Sequence, residues 1–166
     1  MPELETLPDG FIEFLIKAKL HTYASQGDDA TVAPLLPGSR QLEFGEGPFF
    51  YRDIYFGMGY FVGQETVCYN NAPIWSMSYA GGVEQVTVRA EVSEVYAFLR
   101  AAMHQISPER PLRGPAEYRE GDYLYRDRYD GSLNEFWGIE IITRQGAQVY
   151  SLRSLAAAFC ANQKYA

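Results

Sequence analysis

The sequence predicts an α+β fold built by internal duplication. Each unit is a helix followed by a three-stranded antiparallel meander, and the two units form one pseudo-two-fold sheet or half-barrel with both helices on one face. Three observations predict it. Apolar residues recur at helical spacing twice, once near each start of the pattern. Each helical stretch is followed by aromatic-rich segments of alternating polarity, bounded by Gly and Asn turns. The two halves can also be laid over one another residue by residue.

The first element runs from about Pro8 to Ala24. Asp9 stands at the N-cap, Phe11, Phe14, Leu15, Ala18 and Thr22 form the stripe, and Glu13 and Lys17 make an i,i+4 pair. Ser25 to Gly38 reads as a loop of roughly fifteen residues, long enough to be functional. Leu42–Tyr55, Tyr60–Tyr69 and Ile74–Tyr79 read as strands, with turns at Gly57-Met-Gly59, Asn70-Asn71 and Gly81-Gly82 and a further short strand at Gln85–Val88. The order then restarts. Ser93 caps a second helix with Val95, Tyr96, Leu99, Ala102, Met103 and Ile106 as its stripe, ended by Ser107-Pro108. Glu117–Tyr129, Glu135–Arg144 and Gln148–Leu152 repeat the meander, with turns at Asp130-Gly131 and Gln145-Gly146.

The repeat is explicit in the residues. Glu43 to Gly57 lies over Glu117 to Gly131, sharing Glu, Glu, Gly, Tyr, Arg, Asp, Tyr and Gly in order. Phe61-Val-Gly-Gln-Glu65 lies over Phe136-Trp-Gly-Ile-Glu140, and Ile74-Trp-Ser-Met77 over Val149-Tyr-Ser-Leu152. One domain over residues 1–166 follows, with repeats at about 8–90 and 91–153. After Leu152 the second half loses the pattern, so 154–166 is expected to be a short helix or an ill-ordered tail.

Composition narrows the function. The chain has 166 residues and a formal net charge of −7. Without a Lys/Arg cluster this speaks against nucleic-acid binding by the chain alone. No apolar run reaches membrane-spanning length and no basic amphipathic face is present, so no membrane role is expected. The acidic start lacks a signal peptide's regions, and Cys68 and Cys160 form no metal or redox motif. Together these suggest a reducing cytoplasm.

At these residues the chain resembles a known family. Phe11-Ile-Glu-Phe-Leu-Ile-Lys-Ala-Lys with Thr22-Tyr-Ala, Ile74-Trp-Ser-Met-Ser-Tyr, and Arg113-Gly-Pro-Ala-Glu-Tyr-Arg-Glu-Gly-Asp-Tyr look like the bacterial and archaeal domain of unknown function 5680, over roughly residues 10 to 152. The resemblance implies a domain that occurs alone or behind a Cro/repressor-type helix-turn-helix, and this chain looks like the stand-alone form. It implies no activity. The family usually closes with another aromatic strand and Gly-Gly, and Leu155-Ala-Ala-Ala-Phe-Cys departs from that.

The candidate site comes from the first strand of each copy. Period-two alternation puts Phe49, Tyr51, Asp53 and Tyr55 on one face, and Tyr123, Tyr125, Asp127 and Tyr129 on the matching one. Phe50, Arg52 and Ile54, and Leu124, Arg126 and Arg128, face the other way. Each aspartate either accepts structural hydrogen bonds from Tyr, Arg or a turn amide, or binds a cationic or hydroxyl group between aromatic walls. Glu65 and Glu140 repeat as a second acid and Trp75 joins the same set, whereas Glu43, Glu46, Glu117 and Glu120 read as solvated strand ends. Trp75 and Trp137 are both more often core than ligand stackers. His21 and His104 lack metal-site spacing, and no cofactor motif is present. The preferred expectation is a small-molecule-binding or sensory module whose ligand sits where the copies meet, held by Tyr51, Asp53, Tyr55, Glu65, Trp75, Tyr125, Asp127, Tyr129 and Glu140. A carboxylate/tyrosine hydrolase or isomerase, and a protein-interaction or homodimerising domain, remain open.

Overall fold

Phe11, Phe14, Leu15 and Ala18 do form one buried stripe, on helix α1, Phe11–His21. The computed structural model describes residues 7–24, 31–84 and 89–159. The N-cap is Gly10, in a left-handed conformation, and not Asp9. The first turn closes through Phe14 N–H to the Gly10 carbonyl. Lys17 does not pair with Glu13 but reaches Glu46 at 2.7 Å, tying the helix to a hairpin below it. Helix α2, Arg89–Met103, starts one turn before the predicted Ser93 cap and buries Val95, Phe98, Leu99, Ala102 and Met103.

The strands are β1 (Thr31–Val32), β2 (Arg40–Glu46), β3 (Phe49–Gly57), β4 (Tyr60–Tyr69) and β5 (Ala72–Val83) before α2, then β6 (Glu117–Glu120), β7 (Tyr123–Ser132), β8 (Glu135–Arg144) and β9 (Ala147–Ala158). All pairings are antiparallel, in one nine-stranded open sheet of order β1-β2-β3-β4-β5-β9-β8-β7-β6. The fold is α+β, with α1 over β2 and β3 and α2 over β7.

The run has four strands in each half and not three, β2 to β5 and β6 to β9. Leu42–Tyr55 is two strands, broken at Gly47-Pro48, and Glu117–Tyr129 is broken at Gly121-Asp122. Gly47 and Gly121 take φ of 59° and 56°, which a two-residue hairpin requires and a side chain resists. Each turn takes only two residues and shifts the alternation by one, so Phe44 shares a face with Tyr51, and Tyr118 with Tyr125. The Gln85–Val88 strand lies outside the described residues. The expected helix or tail after Ser154 is instead the continuation of β9 to Ala158. Leu152, Ser154 and Ala156 point inward while Arg153, Leu155 and Ala157 point out, and β5 and β8 flank the strand on both sides. Alanine favours helix in isolation, but pairing on both edges overrides that preference.

Both helices lie on the face carrying Phe49, Tyr51, Val67, Trp75, Met77, Tyr125, Ile142, Tyr150 and Leu152, and together they enclose the core. Ring stacks pin each helix: Phe14 on Phe49 at 5.0 Å and Phe98 on Tyr123 at 5.1 Å. Among the described residues, the other face of the sheet carries no helix.

Candidate functional site

The aromatic–acidic residues singled out by pattern are brought together on the helix-covered face. Tyr51, Asp53, Glu65, Trp75, Tyr125, Asp127 and Glu140 are buried, and Tyr55 and Tyr129 are half-buried. Asp53 stands opposite Glu65 across β3 and β4, and Asp127 opposite Glu140 across β7 and β8. The sheet thus sets two carboxylate pairs side by side beneath the helices.

Cations and hydroxyls satisfy them. Lys19 from α1 meets Glu65 at 2.5 Å. Arg113, on the segment before β6, grips Glu140 with two bonds of 2.6 and 3.2 Å and stands 3.9 Å from Glu65. Glu140 also accepts from Tyr125 and Tyr150, at 2.8 and 2.7 Å. Arg110 reaches Asp127 at 2.8 Å and lies over the Tyr129 ring at 4.6 Å. Asp53 accepts from the Tyr79 hydroxyl at 2.6 Å. Trp75 is core: it donates to the Leu133 carbonyl and meets Phe11 edge-on.

The electrostatics follow from this layout. Burial, reinforced by the Glu65 charge, pushes the Asp53 carboxyl up to about 7, against Tyr79, Lys19 and Arg113. Burial and Glu140 raise Asp127 to about 6, opposed by Arg110. Burial also penalises the Glu140 carboxylate, but Arg113 and the two tyrosines outweigh it and hold the group below its usual range. Burial lowers Lys19 in spite of Glu65. Beside this cluster, Lys19, Tyr23, Glu65 and Arg113 line a space of about 10 Å³. That is room for about one water. The predicted residues therefore form a closed ionic seam inside the core.

The open space lies on the opposite face. A groove of about 700 Å³ crosses the strands of both halves and is lined by Leu36, Ile54, Phe56, Val62, Trp137 and Leu155, with Arg52 and Arg153 among them. Trp137, Leu155 and Val62 are 61%, 63% and 55% exposed, and Trp137 stands directly opposite Leu155. Leu36 is held at the rim by the segment before β2, where Leu35 N–H donates to Gln41 at 2.9 Å. Gly63, Tyr79, Gly138 and Ser154 complete the lining.

Sequence reading missed these residues, and it placed Trp137 with the core. One signal was present. On β8, Phe136 and Ile142 face the core while Trp137, Ile139 and Ile141 face the other way. A strand apolar on both faces has two faces to cover.

Among known families, residues 53–158 match a domain of unknown function, DUF5680. The chain belongs to this family. The DUF5680 match takes in both carboxylate pairs, Trp75, Trp137, Arg153 and Leu155, while Tyr51, Lys19, Arg52 and Leu36 lie outside it. No curated protein and no solved structure matches the chain. Among the described residues, no three His, Cys, Asp or Glu converge as metal ligands, and no helix is long and apolar enough to cross a membrane. His21 is stacked on Phe44 at 4.7 Å. Cys68 is a free thiol, and Cys160 lies outside the described residues.

Proposed function

We propose that this chain is a small-molecule-binding module whose ligand seats in the groove on the open face of the sheet. The observation that carries this reading is the groove itself. Its volume, about 700 Å³, lies within the range of small-molecule sites. Its walls form a run of exposed Trp, Leu, Val and Phe that a soluble surface seldom leaves uncovered without a use. The aromatic–acidic residues support the site from behind: the bonded carboxylates and cations hold the floor rigid, as a preformed pocket needs.

We also read the two halves as copies of one ancestral unit. The mirrored strand order and the repeated Asp–Glu pairs support that reading, and the groove spans β3–β5 and β8–β9, where the copies meet. The free Cys68 thiol fits a reducing compartment such as the cytoplasm.

A thermal-shift screen of metabolites on the full chain tests the proposal, run in parallel on Ser78→Trp and Asp53→Asn. Ser78 is exposed on β5 inside the groove, so a tryptophan there fills the space without entering the core. Compounds that stabilise the native chain should lose their effect in Ser78→Trp and keep it in Asp53→Asn. Hits indifferent to Ser78→Trp would show that the groove is not the site.

A further inference from the structure

We infer that the groove takes an anion with an apolar body, an aryl or acyl carboxylate. This rests on the groove being the binding site and adds the charge of what binds there.

The charged side chains lining the groove are Arg52 and Arg153, with no carboxylate among them. This is a local inversion, because the chain as a whole carries −7. Arg52 is partly committed, its Nε donating to Glu43 at 2.8 Å. Arg153 is not: it is exposed, its cross-strand neighbours are Ala80 and Ile139, and among the described residues no carboxylate lies within ion-pair distance. On the next strand, Arg128 stands opposite the same Ile139, also exposed and without an acidic partner among the described residues. The two arginines flank Ile139 about 10 Å apart, two strand spacings. Two residues along β9 from Arg153, the Leu155–Trp137 pair offers a flat apolar surface. A guanidinium beside an exposed indole holds a carboxylate by paired hydrogen bonds while the attached ring or chain lies on the apolar surface. A second copy of this chain would bring another −7 to the same face, so self-association is the weaker occupant.

The test uses charge-matched probes on the full chain: 1-naphthoate, 1-naphthalenemethanol and 1-naphthylmethylammonium, with decanoate, decanol and decylammonium as an aliphatic set. Binding is followed by calorimetry and by backbone amide shifts. The acids should bind about ten-fold or more tighter than their neutral partners, weaken as salt rises, and shift amides around Trp137, Arg153 and Leu155. Arg153→Gln should erase the preference for the acid while leaving affinity for the alcohols nearly unchanged. Its unfolding midpoint should match the native chain, since the side chain is exposed. If the alcohols or amines bind as tightly as the acids, or Arg153→Gln binds them all as the native chain does, the inference about charge is overturned and the groove reading stands. If no probe binds, or all shifts fall outside the groove, both fall. A dimer that Ser78→Trp dissociates would assign the face to a second copy and overturn both as well.

Discussion

Tyr79 donates its hydroxyl to Asp53 at 2.6 Å by laying its ring across Gly63, its cross-strand neighbour. A Cβ on Gly63 would stand 2.4 Å from that hydroxyl. The matching contact in the second half is different. Ser154 faces Gly138, is too short to reach across, and Arg110 arrives from a loop to serve Asp127 instead. One carboxylate therefore rests on a neutral donor and the other on a cation, while burial first and the facing glutamate second push both carboxyls up.

Removing that hydroxyl tests the contact. Tyr79→Phe leaves a buried carboxyl without its donor and should cost about 1–3 kcal/mol in urea unfolding. It should also raise the Asp53 pKa further, because the hydrogen bond favours the charged form. An Asp53 carboxyl titration by carbon NMR that is unmoved by the substitution would contradict the assignment.

Gly63→Ala should destabilise by about 1–3 kcal/mol, since the new methyl must displace the Tyr79 ring or the Tyr55 Cβ, 2.7 Å away. Gly59→Ala has nothing within 4 Å and serves as the neutral control. Equal unfolding midpoints for the two variants would mean that Tyr79 does not lie where described.

The pH dependence has a definite sign. Between the ordinary carboxyl value of 3.8 and about 7, folded Asp53 keeps a proton that the unfolded chain has released. Its contribution is fully present below 3.8 and is lost as pH rises through about 7. Asp127 acts the same way up to about 6. Glu140, held low, acts oppositely: its contribution is present above 4.5 and fades as pH falls. Urea midpoints should therefore decline from weakly acidic to neutral pH. Asp53→Asn should flatten the upper part of that decline, and a midpoint that instead climbs from pH 5 to 8 would reverse the assignment.

Arg113→Met should be among the costliest single changes, about 3–5 kcal/mol, because it strands Glu140 in the core and removes the second cation near Glu65, behind Lys19. Adding Glu140→Leu to it should recover part of the loss. A double-mutant cycle with no coupling energy would argue against the pair.

The two tryptophans report opposite faces. Trp75 is fully buried and Trp137 is 61% exposed. Acrylamide should quench roughly one component of the emission readily, and Trp137→Phe should leave a blue-shifted, quench-resistant spectrum.

Much of the core was legible in the sequence because period-two alternation is a direct imprint of a covered sheet face: Tyr51, Asp53, Tyr125 and Asp127 all point where the pattern puts them. What pattern cannot convey is which polar groups find partners. Arg113 and Arg110 come from an irregular segment with no periodicity, and Lys19 lies within a helix whose stripe is otherwise apolar. An aspartate among aromatics reads equally as pocket or as core until those cations are placed. The groove was hidden for another reason. Its residues come from five strands and a loop, none contributing more than four, so no single stretch carries its signature. The hairpins at Gly47 and Gly121 stayed invisible because each interrupts a strand-like run for only two residues, and the single shift in alternation that marks them is easily passed over.

The pairing of β5 with β9 makes the last described strand the keystone of the sheet. The outermost strands are short, two residues in β1 and four in β6, and offer little for another molecule to pair with. The centre is different. Until β9 is in place, β5 and β8 each present a long unpaired edge, rich in apolar side chains. A ribosome-bound or truncated chain lacking it would carry two sticky seams in place of one continuous surface, with no groove between them. Loss of solubility should thus set in abruptly as deletions cross into Ala147–Ala158, while trimming β1 or β6 is tolerated far better.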